Sequence, residues 1–307
     1  MSVSKERIAQ IVGECYQYAQ TNGIDLENSI KAVAMRRQLK EETVKRYIRE
    51  METKAVVVKG REERKETERW LVISDLHAPF HDKKAVECMV DYAQDYKPHG
   101  IIIDGDLGDM QSCSHWLVNK RLTLEGKRIK ADIDICRDVA ENIAGRLPSL
   151  EKKVYLLGNH EAWLLQYLEA HPELEGLLDL EGVMENEGWE VYPENTRYRL
   201  GHLRILHGLY VNKHHAAKTL DALGVSALYG HTHDHQAFTV SHDDGEKSAM
   251  SIGCLCDMNP AYMKNRPKRW VHGFATVDMI PKTGEFFTDF VKIINGKTAR
   301  KGVVYGK

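Results

Sequence analysis

Residues 155–165 read YLLGNHEAWLL: an apolar run ends in Gly158, Asn159, His160 and Glu161, and an amphipathic stretch begins at once. An amide, an imidazole and a carboxylate in a row are poor core residues, but they suit the mouth of a crevice. The same punctuation recurs along the chain. WLVIS (70–74) leads into SDLH (74–77), and GIIID (100–104) into DGDLGD (104–109). KVYLLG (153–158) leads into GNHE (158–161). LRILHG (203–208) and VSALYGH (225–231) end in LHG (206–208) and GHTH (230–233). The apolar runs are short and rich in β-branched residues. Helical patterns, KKAVECMVDYAQDY and IKADIDICRDVAENIAGRL, separate the first three. Strand alternating with helix predicts a largely parallel, buried sheet. Further on, HQAFTVSHD, KSAMSIGCL, HGFATVDM and GEFFTDFVKII read as strands joined by turns, hence antiparallel hairpins. The expected class is α/β, a layered fold with two sheets.

The first 58 residues follow a different period. KERIAQIVGECYQYAQTNG places Ile8, Ile11, Val12, Cys15 and Tyr18 at helical spacing, with Gly23 as a stop. A second helix is expected from Leu26 through ENSIKAVAM and a third over EETVKRYIREM. KGREERKETER (59–69) is nearly all charged and reads as a linker. The expected organisation is a small all-α module (1–58), the linker (59–69), a catalytic domain (70–295) and a C-terminal tail (296–307). Residues 33–51 are similar to a helix-turn-helix segment: Ala34, Leu39, Thr43, Val44 and Ile48 stand where such motifs keep small and apolar residues. Lys45, Arg46 and Arg49 would then face phosphates. Arg37 and Gln38 depart from the pattern, standing where an apolar residue and a glycine are common. Residues 30–51 are therefore the candidate DNA contact, against the alternative of a helical bundle that packs or assembles.

Composition excludes more than it selects. The chain has 307 residues, 42% hydrophobic and 29% charged, with a formal net charge of −2. That suits a soluble protein with a sizeable core and favours no partner by charge. No apolar run approaches the ~18 residues of a membrane helix, and the N-terminus lacks a signal-peptide core, so no membrane partner is expected and a cytoplasmic location is the default. The six cysteines are scattered and do not suggest a disulfide framework. Cys254 and Cys256 form a C-x-C that either binds a soft metal or is structural. Oligomeric state is not readable.

In open α/β sheets the carboxyl ends of the strands face one crevice. The residues collected there are Asp75, His77, Asp106, Asp109, Asn159, His160, His207, His231 and His233. So many carboxylates and imidazoles need a compensating cation. Aspartate with imidazole suits manganese, iron, zinc, cobalt or nickel. Asp75 and His77, two apart, would share one side of an extended backbone. Asp106 has two oxygens and can bridge two ions. His231 and His233 can serve different ions if the loop turns between them.

The order D-x-H, G-D-x-x-D, G-N-H-E, His-Gly and G-H-x-H over residues 70–280 resembles the calcineurin-like metallophosphoesterase superfamily. The resemblance implies a sandwich of two mixed β-sheets flanked by helices, and two divalent ions, manganese first among the candidates. One ion would take Asp75, His77, Asp106 and His233, the other Asp106, Asn159, His207 and His231. His160 would act on the leaving oxygen as a general acid, oriented by a hydrogen bond to Asp109. The implied function is hydrolysis of a phosphoester by a metal-bridging hydroxide, with a nucleic-acid or nucleotide phosphodiester as substrate. The alternatives are a phosphomonoesterase on a small substrate, and a DNA-binding or assembly factor with a non-catalytic metal centre. Residues 111–150 form the one sizeable insertion near the site and would be a lid if small substrates are used.

Overall fold

The computed structural model describes residues 5–49, 67–243, 245–260 and 266–306. The chain divides into two compact units, Met1–Glu66 and Thr67–Lys307. In the first unit, helices α1 (Lys5–Asn22) and α2 (Leu26–Arg37) are followed by α3, residues 41–49. Asp25 caps α2 by accepting from the Asn28 amide at 2.7 Å. Ile11, Val12 and Cys15 of α1 pack with Ile30, Val33 and Ala34 of α2 and with Val44, Tyr47 and Ile48 of α3. The two departures from the helix-turn-helix pattern have physical roles. Gln38 takes a left-handed backbone, φ 53°, and its amide closes α2. Arg37 pairs with Glu14 of α1. Lys45 Nζ lies 3.8 Å from carboxylates of Glu27 and Glu42, so part of this basic surface faces acidic side chains. The predicted linker lies outside the described residues up to 66, and Glu68 and Arg69, which it included, already belong to the first strand.

The second unit is a sandwich of two mixed sheets flanked by helices. The first sheet runs β11-β10-β1-β2-β3-β4. Its middle is parallel: β1 (Glu68–Ile73), β2 (Gly100–Asp104), β3 (Lys152–Leu156) and β4 (Glu190–Tyr192). Strands β10 (Gly273–Met279) and β11 (Phe286–Lys292) extend it antiparallel beyond β1. The second sheet contains β5 (Tyr198–Leu200), β6 (Leu203–Leu206), β7 (Ala227–Tyr229), β9 (Gly245–Ser251) and β8 (Ala237–His242), in that order. The expected β8–β9 hairpin is present, but β9 also pairs parallel with β7.

The apolar runs are continuous because both faces of the first sheet are covered. Trp70, Val72, Ile102, Val154 and Leu156 meet Leu200, Leu203, Ile205, Leu228 and Ile252 of the second sheet. The alternate residues Leu71, Ile73, Ile101, Ile103 and Tyr155 face the helix layer. That layer includes α4 (Lys83–Tyr96) and α6 (Ile129–Gly145). Helix α6 buries Ile133, Cys136, Val139 and Ile143, so it belongs to the core. Only the segment before it, with the short α5 (Arg121–Leu124), is an excursion near the strand ends. This corrects the expected insertion of residues 111–150. Residues 296–307 are not a free tail either. Strands β12 (Thr298–Arg300) and β13 (Val303–Tyr305) pair as a hairpin, Tyr305 is buried, and its hydroxyl donates to Asp95 at 2.6 Å.

Candidate metal centre

The polar residues at the ends of β1, β2, β3, β6 and β7 converge, and the backbone turns sharply to bring them together. Asp75 and His77 have φ of 53° and 50°, Asp106 50°, and His231 and His233 71° and 58°. The expected extended arrangement of Asp75 and His77 is therefore replaced by two left-handed turns. Such turns cost a non-glycine residue about 1–2 kcal/mol, though aspartate and histidine tolerate them better than most. The two loops run together: the Asp75 amide donates to Gly105 O at 3.1 Å and the His77 amide to Asp106 O at 2.9 Å. Glycines permit the close approach. A Cβ on Gly158 would stand 2.2 Å from Asp106 Oδ1, and one on Gly230 would stand 1.8 Å from Ser74 Oγ.

Among the described residues four groups of potential ligands have donor atoms within 4.8 Å of one another: Asp75, His77 and His233; Asp106, His207 and His231; His77, Asp109 and His160; and His233 with Cys254 and Cys256. The first two join aspartate with two imidazoles each. Asp106 lies between them, since its Oδ2 is 3.1 Å from His207 Nε2 and 3.8 Å from His77 Nε2. His231 and His233 fall in different groups because the loop turns at both. Asn159 and His231 are half-buried; Asp75, His77, Asp106, His207 and His233 are buried.

These atoms do not satisfy one another. His233 Nε2 is 3.0 Å from Asp75 Oδ1 and also 3.1 Å from His77 Nε2, a meeting of two ring nitrogens. His233 and Asp75, and likewise His207 and Asp106, stand at ion-pair distances of 3.0 and 3.1 Å. Asp75 Oδ1, Asn159 Oδ1 and His207 Nε2 are buried with no hydrogen-bond partner. Orphaned polar atoms of this kind cost about 1–3 kcal/mol each. Carboxylate, amide oxygen and imidazole nitrogen converging with free lone pairs fit divalent cations, and the first two groups fit two of them.

The opposite ring nitrogens are anchored, as histidines that ligate metals usually are. His77 Nδ1 donates to Asp109 Oδ1 at 3.1 Å, and His207 Nδ1 to the Asp104 carbonyl at 2.6 Å. Each bond leaves Nε2 as the lone-pair atom facing the centre. His160 Nδ1 donates to the main-chain carbonyl of Asp109 at 2.9 Å. The expected Asp109–His160 bond is thus made by the main-chain carbonyl rather than by the carboxylate. The Asp109 carboxylate stands 3.7 Å from His160 Nδ1 because it is turned to His77. The His160 ring is fixed further by Trp163, at 4.0 Å between centroids, and by the edge of His77 at 4.5 Å.

The buried carboxylates and imidazoles shift one another strongly. Burial would lower the pKa of His233, but the Asp75 carboxylate outweighs it and lifts the imidazole to about 10. Burial opposes the ionised form of Asp75, yet His233 holds it down at about 2. His207 goes the same way as His233: burial disfavours its charge, and Asp106 more than reverses this, lifting it well above the usual range. Asp104 is pushed up to about 7, burial being the chief cause. It accepts from the Gly230 amide at 2.8 Å and braces the GHTH loop, a structural part.

Glu161 has a larger role than opening its helix, α7 (Asn159–Ala170). Its Oε2 accepts from the amides of Asp106 at 3.0 Å and Gly158 at 2.8 Å, and its Oε1 from Gly108 at 2.9 Å. One buried carboxylate therefore ties the GDLGD loop to the GNHE loop. Nothing in the spacing of the motif shows this. His215 is buried, with Nδ1 on Tyr229 Oη at 2.7 Å and Nε2 on Asp234 at 3.1 Å. Cys254 and Cys256 are buried and free, and Cys256 Sγ lies 3.8 Å from His233 Nδ1.

No known family profile matches the chain. It is 27% identical over 269 residues to the Gene 54 protein of Mycobacterium phage L5, covering 78% of this chain and 99% of that one. It is also 27% identical over 268 residues to the Gene 54 protein of Mycobacterium phage D29, with the same coverage, 78% and 99%. Among solved structures it is similar to Vacuolar Protein Sorting 29 from Cryptosporidium parvum, with 15% identity and a TM-score of 0.43, covering 79% of this chain and 100% of that one.

Two outcomes follow from this geometry. Metal requires neutral imidazoles, whereas Asp75 favours the protonated form of His233, lifted to about 10, and Asp106 favours that of His207. Binding should therefore release protons, and apparent affinity should rise with pH up to about 10. Calorimetric titration with Mn²⁺ in buffers of different ionisation enthalpy measures this; uptake with no proton release would contradict it. Replacement of Glu161 by Gln sets an NH₂ against one of the three amides and should cost about 2 kcal/mol in urea unfolding. A cost below about 0.5 kcal/mol would show that the clamp is dispensable.

Proposed function

We propose that the chain is a hydrolase of phosphodiesters that works with two divalent ions, manganese foremost. Asp75, His77, Asp106 and His233 would hold one ion, and Asp106, Asn159, His207 and His231 the other. The observation that carries this reading is the set of buried polar atoms without a hydrogen-bond partner, Asp75 Oδ1, Asn159 Oδ1 and His207 Nε2, brought from different strand ends into one place. Bound ions would supply electrophilic activation of the phosphoryl group and acidify the attacking water. The neutral amide of Asn159 limits the negative charge collected there.

His160 is the proposed proton donor. With Nδ1 committed to the Asp109 carbonyl, Nε2 is the atom that can hold a proton for the leaving oxygen. Trp163 and His77 keep the ring from swinging away. Asp109 positions two groups at once, His77 through its carboxylate and His160 through its carbonyl.

Preference for a diester has a spatial basis. A cavity of about 960 Å³ includes His77, Asn159 and His160 in its wall, and a second of about 430 Å³ includes His231. A phosphorus at the centre would have room for a substituent on each side, whereas a monoester needs only one. A nucleic-acid or nucleotide phosphodiester is the substrate class that this reading favours.

The test is hydrolysis of bis-p-nitrophenyl phosphate and p-nitrophenyl phosphate by metal-stripped protein with Mn²⁺ restored. Turnover should depend on Mn²⁺ and favour the diester at least tenfold. His160→Ala should lower kcat about 10²–10⁴-fold, and Asp106→Asn should abolish both turnover and metal retention. Equal activity in the His160→Ala variant would remove the assigned acid.

A further inference from the structure

The larger cavity has one wall that the hydrolytic chemistry leaves unused. It is built by Phe80, Trp116, Leu117, Lys120 and Lys127, most of them from the excursion before α6. Trp116 is 70% exposed, with His115 at 4.6 Å between ring centroids, and Phe80 is 38% exposed; both line the cavity that also holds His77 and His160. Lys127 Nζ stands 5.5 Å over the Phe80 ring. Among the described residues neither Lys120 nor Lys127 is in an ion pair. The lone carboxylate of the metal centre in this cavity, Asp109, is turned to His77, and Asp257 lies on the other lining segment.

Resting on the phosphoesterase reading, we propose that this wall is a subsite for a nucleobase and the phosphate next to it, on the side of the scissile ester that His160 faces. The chemistry selects this ligand. Exposed aromatic rings stack bases without regard to sequence, and removing one weakens binding about five- to hundredfold. Unpaired lysines beside them match a phosphate other than the one at the centre. A sugar phosphate would leave Trp116 and Phe80 in water, and an apolar ligand would leave both lysines unmatched. The volume suits a group of nucleotide size. The ligand could be a free nucleotide or one unit of a single strand.

Binding is measured on the full-length protein, as purified and after chelation, by tryptophan fluorescence and calorimetry. The probes are deoxyadenosine 5′-phosphate, deoxyribose 5-phosphate and the trinucleotide of deoxyadenosine. The nucleotide should bind at least tenfold more tightly than the sugar phosphate, and Trp116→Ala should erase that difference. Trp116 is a surface residue, so its replacement should leave the fold intact. For a single strand, the trinucleotide binds more tightly still, and Lys120→Ala with Lys127→Ala removes that gain and flattens its salt dependence. For a free nucleotide, the trinucleotide gains nothing. Equal binding of nucleotide and sugar phosphate, or a nucleotide affinity unchanged by Trp116→Ala, overturns the subsite. Binding to chelated protein is read without turnover, so a failure of the hydrolytic reading is seen separately.

Discussion

Buried carboxylates and imidazoles with their lone pairs aimed at one another are the constraint around which the second unit is arranged. His77 Nε2 meets His233 Nε2, while Asp75 Oδ1, Asn159 Oδ1 and His207 Nε2 find no partner. Hydrophobic burial cannot account for such a cluster, because each orphaned atom opposes folding. The surrounding structure holds it in place. Left-handed turns at Asp75, His77, Asp106, His231 and His233 aim the donors. Glycines 158 and 230 let the loops touch. Glu161 gathers three amides from two loops onto one carboxylate. Strain and orphaned groups accumulated in one place, against a well-packed sandwich elsewhere, mark a site shaped for a ligand.

Much of this was legible in the sequence because strands and their carboxyl ends have local signatures. WLVIS, GIIID and KVYLLG alternate between two buried clusters, and this makes their apolar runs continuous. The polar residues that follow each run then reach the crevice, so Asp75, His77, Asp106, Asn159, His207, His231 and His233 could be collected without coordinates. The partner of Asp109 could not. Whether its carboxylate or its carbonyl meets His160 depends on the direction of a loop, which residue spacing does not encode. Glu161 was readable as a helix-opening residue, but its bonds to Asp106 and Gly108 span more than 50 residues. Residues 296–307 were read as a tail because strands of three residues carry almost no periodicity, and Tyr305 shows its role only when buried against α4.

The two flanks of the centre differ in kind. On the His160 side, the excursion before α6 brings aromatic rings and lysines. On the His231 side, Lys268, Arg269 and Trp270 line a smaller and more polar hollow. Sheet ends thus supply the convergent donors, and the loops and short helical turns beside them line the hollows on either side. This division agrees with the general placement of specificity on loops carried by a rigid scaffold. The loops carried little sequence signal for the same reason: no helical or strand period disciplines them.

The proposed chemistry needs two ions on the convergent donors, with Asp106 between them. Anomalous diffraction from crystals equilibrated with Mn²⁺ should show two peaks about 3.5–4 Å apart, one beside Asp75, His77 and His233 and the other beside Asn159, His207 and His231, with Asp106 contacting both. A single peak, or density at Cys254 and Cys256 with none at Asp106, would contradict it.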